Sequence, residues 1–139
     1  MQAAPLDSLA STLAARHGLG IVVLFGSRGR GTEHARSDTD LAVLRRDGRR
    51  LSFHELAMLQ SEFASSLGAD VEVDVADLAT SDALFRYEVV SAGRVLVEAE
   101  PGLWSAFVAR TLIDHDDIAP FVEACVAGVH RAARAARGT

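Results

Sequence analysis

The chain has 139 residues, 49% of them apolar and 24% charged, with a formal net charge of −5. That length suits one domain over 1–139, which buries roughly two-thirds of its unfolded surface. No apolar run approaches the roughly 20 residues of a membrane span, and the acidic balance argues against broad electrostatic binding to nucleic acid. The N-terminus lacks a basic region followed by an apolar one, so no secretory signal is expected, and the lone Cys125 cannot form an internal disulfide. Both features point to the cytoplasm.

In chain order, Leu6, Leu9, Ala10, Leu13 and Ala14 follow helical spacing, with Gly18 as the stop and His17 complementing the helix dipole. Ile21 to Phe25 reads as a buried strand. It runs into Gly26-Ser27-Arg28-Gly29-Arg30-Gly31, a glycine-rich turn expected to reach about Ala35 with a short helix. A glycine directly after a strand lets backbone approach a ligand closely. Backbone N–H groups at a helix start, with the Ser27 hydroxyl, suit a phosphate, and Arg28 and Arg30 can offset its charge. Asp38 to Leu44 is the next strand. Residues i and i+2 of a strand share a face, so Asp38 and Asp40 form a carboxylate pair that calls for a cation between them. Mg2+ is the expected ion, being held by one or two carboxylates plus substrate phosphates.

Arg45-Arg46-Asp47-Gly48-Arg49-Arg50 carries Asp-Gly turn chemistry. Its four arginines read as a solvated loop, with a nucleotide- or acceptor-contacting rim as the alternative. Ser52 and Glu55 form a capping-box pattern with Leu51 and Leu56 as a staple, opening a helix that buries Leu56, Leu59, Phe63 and Leu67 and ends at Gly68. Ala69 to Val75 alternates with period two, placing Asp70, Glu72 and Asp74 on a wet face. Ser81 to Ala92 reads as a helix and Arg94 to Glu98 as a short strand. From Pro101 the chain is helical, forming a C-terminal segment over 101–137. There Pro120 either kinks one helix or starts a second. Asp114 to Asp117 reads as an acidic helix boundary, and Cys125 as core.

The glycine turn is not a Walker loop, since no Gly-Lys-Ser/Thr follows, and His34 stands where a dinucleotide fingerprint would need its third glycine. Instead, Phe25-Gly26-Ser27-Arg28-Gly29-Arg30-Gly31 followed by Ser37-Asp38-Thr39-Asp40-Leu41-Ala42-Val43 resembles the signature of the nucleotidyltransferase superfamily that includes DNA polymerase beta. More narrowly, it is similar to the minimal nucleotidyltransferases, MNT proteins known as antitoxin partners of HEPN-domain ribonuclease toxins. Val73-Asp74-Val75-Ala76-Asp77-Leu78 and the ending Gly93 to Glu98 resemble the same family.

The resemblance implies an α/β (α+β) fold, a small mixed sheet flanked by helices. It implies ATP as substrate, two Mg2+ ions, and catalytic, metal-holding carboxylates at Asp38, Asp40 and Asp74, with Glu72 as the alternative third. Gly26, Ser27, Arg28 and Arg30 would bind the nucleotide. The implied activity is transfer of AMP to a hydroxyl, a tyrosine of a HEPN toxin. Two alternatives stay open. One is a non-enzymatic antitoxin that occludes the toxin. The other is nucleotidyl transfer to a small molecule such as an aminoglycoside.

Overall fold

The computed structural model describes residues 3–26, 38–68 and 70–138. Four strands, β1 (Leu19–Phe25), β2 (Asp38–Arg45), β3 (Glu72–Asp77) and β4 (Arg94–Glu98), form one sheet in the order β3-β2-β1-β4. β1 runs antiparallel to both β2 and β4, whereas β2 and β3 are parallel, so the sheet is mixed, as expected. The helices are α1 (Ala3–His17), α2 (Phe53–Leu67), α3 (Ala83–Ala92) and α4 (Leu103–Gly138). Among the described residues no helix is long and apolar enough to cross a membrane.

The central strands are buried on both faces, which is why β1 reads as a continuous apolar run. On one face Val22, Leu24, Leu41, Val43, Val73 and Val75 pack with Leu6, Leu13, Leu59 and Phe63 of α1 and α2. On the other, Ile21, Val23 and Ala42 pack with Val89 of α3 and with Trp104 and Phe107 of α4. β3 lies at the sheet edge, where Val73 and Val75 point inward and Glu72 and Asp74 outward. Its Val75 N–H is satisfied by Gln60 Oε1 at 3.2 Å, so α2 covers part of that edge.

Local signals hold where the physics is local. Ser52 and Glu55 make the full reciprocal capping box. Gly18 ends α1 at φ +68°, a left-handed conformation that favours glycine. The third helix begins at Ala83, two residues later than the expected start at Ser81, with Asp82 as its N-cap, accepting from Phe85 N at 2.8 Å. His17 does more than sit at a helix end. Its Nε2 lies 3.2 Å from Glu62 Oε2, and Arg16 Nη1 lies 2.9 Å from the same oxygen, tying α1 to α2. The hydrogen bond from His17, then that from Arg16, outweighs desolvation and holds the Glu62 carboxyl below its ordinary range.

Two expectations about the C-terminal segment are corrected. Cys125 is exposed, not core. α4 is 36 residues long, about 54 Å, and outruns the body: from 120 to 136 its described side chains are exposed apart from half-buried Gly128. Asp114 to Asp117 is not a boundary either, because one helix runs through it and through Pro120. Asp114 instead receives Arg86 at 3.8 Å and Arg110 at 3.5 Å, and His115 stacks on Tyr87 with ring centroids 3.8 Å apart.

Candidate active site

The site forms where β1 ends and β2 and β3 begin. Phe25, last in β1, pairs with Asp40, and Gly26 follows at φ +76°. A Cβ on Gly26 would overlap Asp40 Oδ2. The turn therefore needs glycine twice over, for its left-handed backbone and for the room that the carboxylate occupies. Asp40 itself is half-buried and already engaged within the fold.

Parallel register completes the arrangement. Asp40 is paired with Asp74, and Asp38 with Glu72. Paired residues on neighbouring strands point to the same face, with backbones about 4.8 Å apart. Asp40 and Asp74 thus stand side by side, Asp74 exposed at the sheet edge. Asp38 opens β2, two residues before Asp40; its side chain lies outside the described residues. Ser27, Arg28 and Arg30 also lie outside them, as does the rest of the expected phosphate loop. The face is walled by Phe25, whose ring meets Phe85 of α3 edge-on at 5.2 Å.

The oxygen-only donor set fits a hard divalent cation such as Mg2+ rather than a thiolate-seeking metal. Among the described residues no group of three metal-ligating side chains is already gathered. Asp40 and Asp74 supply two carboxylates, and the third expected ligand is Asp38. Asp77, which shares the Asp74 segment, has a different position. It is 5% exposed and accepts from Leu51 N at 2.7 Å and Ala79 N at 3.0 Å, fastening the loop before α2 to the end of β3. Only its apolar neighbours Ala76 and Leu78 hinted at that burial.

Comparison with known proteins agrees with this geometry. The family profile described as polymerase beta, nucleotidyltransferase matches residues 7–101. Protein adenylyltransferase MntA of Shewanella oneidensis is 36% identical over 80 residues, 56% of this chain and 53% of that protein. The chain thus spans about half the length of the curated relative it matches. A crystal structure of a toxin–antitoxin with AMP-PNP superposes with a TM-score of 0.78 at 26% identity, covering 89% of this chain and 98% of that one. A tri-AMPylated Shewanella oneidensis HEPN toxin in complex with MNT antitoxin gives a TM-score of 0.75 at 23% identity over 94% and 99% of the two chains, a likeness of fold. The matched stretch runs from α1 through β4 and so takes in both the glycine turn and every carboxylate of the site. On that ground the chain belongs to the polymerase beta nucleotidyltransferase family.

Proposed function

We propose that this chain is a Mg2+-dependent adenylyltransferase that moves AMP from ATP onto a tyrosine hydroxyl of a HEPN ribonuclease toxin and so acts as that toxin's antitoxin. The observation carrying the reading is the in-register pair of Asp40 and Asp74 above Gly26. The likeness to a protein adenylyltransferase and to toxin–antitoxin structures, one of them with AMP-PNP, supports the donor and the class of acceptor. A cytoplasmic place of action goes with an ATP-dependent reaction on such a partner.

In this reading Asp38, Asp40 and Asp74 hold Mg2+, which when bound neutralises the triphosphate and favours the ionised acceptor oxygen. Gly26 and Ser27 present backbone N–H and hydroxyl donors to the leaving phosphates, and Arg28 and Arg30 balance their charge. The acceptor oxygen attacks the α-phosphorus, the bond from that phosphorus to the bridging oxygen breaks, and pyrophosphate leaves while the hydroxyl proton passes to solvent. Positioning and fixed charge account for most of such catalysis. The phosphodiester left on the toxin adds bulk and negative charge there.

The test is transfer of label from ATP labelled at the α-phosphate to a co-purified toxin, with Asp40→Asn as control. One labelled toxin band, absent with Asp40→Asn, is expected. Toxin inhibition that survives Asp40→Asn without any label would replace the enzyme with an occluding antitoxin. Label on a small molecule would move the acceptor out of the protein class.

A further inference from the structure

At the far end of the same sheet face lies a cavity of about 420 Å³ that the adenylyl-transfer reading does not use. It opens between β1, the turn after β2, and the first turns of α4. Leu44 on its wall lies four positions along β2 from Asp40, roughly 13 Å at the strand rise. The volume falls within the range of small-molecule sites.

Its floor is apolar, made of Ile21, Leu44, Leu78 and Phe107. Its rim is basic. Arg45 is matched by Asp47 at 3.0 Å, and Arg86 is occupied by the Leu78 carbonyl at 3.0 Å and by Asp114. The other two rim arginines keep donors to spare. Arg46 is exposed and has no carboxylate partner among the described residues. Arg110 leaves 77% of its side chain exposed and, among the described residues, pairs only with Asp114, at 3.5 Å. Thr111, 1% exposed as a residue, also lines the cavity and brings a hydroxyl to its wall.

We infer that this cavity binds a small organic anion, its apolar body on the Ile21, Leu44, Leu78 and Phe107 floor and its acidic head between Arg46, Arg110 and the Thr111 hydroxyl. The apolar floor excludes a bare inorganic ion as the matching ligand, and the spare guanidinium donors select an anion over a neutral body of the same shape. A carboxylate and a phosphate head share this chemistry. The site is separate from the carboxylate centre and does not depend on its activity.

The full chain, labelled with nitrogen-15, would be titrated with octanoate, phenyl phosphate and 1-octanol while amide shifts are followed. Saturable shifts at Gly20, Gly48 and Thr111 with octanoate or phenyl phosphate, and weaker binding of octanol, are expected; the better of the two acids identifies the head group. Arg46→Gln, at an exposed position, should weaken binding by about tenfold or more, as expected for a charge-assisted hydrogen bond. Thr111→Val, nearly the same in shape, should weaken it too, whereas Asp40→Asn should leave it unchanged. Equal binding of octanol, undiminished binding in Arg46→Gln, shifts confined to the Phe25–Asp40 end, or no saturable shift would each overturn the inference.

Discussion

Replacing Gly26 with alanine separates what the glycine does for the fold from what it does for the site. At φ +76° an L-residue pays about 1–2 kcal/mol of left-handed strain. For a chain of this size that corresponds to roughly 3–7 °C of melting temperature. The new methyl would also overlap Asp40 Oδ2, so the carboxylate must move. A displacement on the order of 1 Å in a reacting constellation costs on the order of 100-fold in rate. Gly18→Ala is the matched control: it sits at φ +68°, with nothing within 4 Å of the added methyl. Both variants should therefore lose similar stability in urea titrations. Below their transitions, Gly26→Ala should lose about 100-fold or more of α-phosphate label transfer to toxin, and Gly18→Ala almost none. Full transfer by Gly26→Ala would refute the claim that this turn positions Asp40.

Two further substitutions test the frame around the site. Asp77→Ala should cost about 1–3 kcal/mol, because it strands the buried N–H of Leu51 and uncouples the loop before α2 from β3; a lower urea midpoint at unchanged slope, with weaker transfer even below the transition as β3 loses part of what holds its register, is the expected result. Glu62 makes the acid limb of stability steeper. Its hydrogen bonds from His17 and Arg16 depress its folded-state pKa, so its contribution is complete above the ordinary glutamate value of about 4.3 and is lost as pH falls through the lower folded-state value. Unfolding measured across that window should show a shallower acid loss in Glu62→Gln, and an unchanged slope would remove the tether between α1 and α2 as its cause.

Features encoded over a few residues are legible in the sequence itself. The Ser52–Glu55 box, the alternation of Val73 and Val75 with Glu72 and Asp74, and the break of an apolar strand at Gly26 each rest on neighbours within about four positions. The fate of Cys125 is not legible there. An apolar stripe has the same helical period whether a body covers it or α4 carries it past the body into solvent. The cavity is equally hidden, because Arg46 and Arg110 meet only when the turn after β2 is set against α4. In sequence, Arg46 belongs to a run of four arginines that looks like a solvated loop.

Choosing between Asp74 and Glu72 needs the pairing of strands, and no local pattern supplies it. Both face the same way, since a strand alternates every second residue. A slip of β3 by one residue would turn both inward in place of Val73 and Val75 and is blocked by the core they fill. A slip by two would keep every valine face buried and yet exchange Glu72 for Asp74 beside Asp40. Contacts beyond the strand pair hold the observed register. Leu78 N donates to Val43 O at 2.9 Å, and the Asp77 carboxylate grips Leu51 N, so the end of β3 is held both to the sheet and to the loop leading into α2. The residue that brings Asp74 level with Asp40 is therefore in part Asp77, three positions on and outside the site. The in-register aspartate pair is maintained from the opposite end of its own strand.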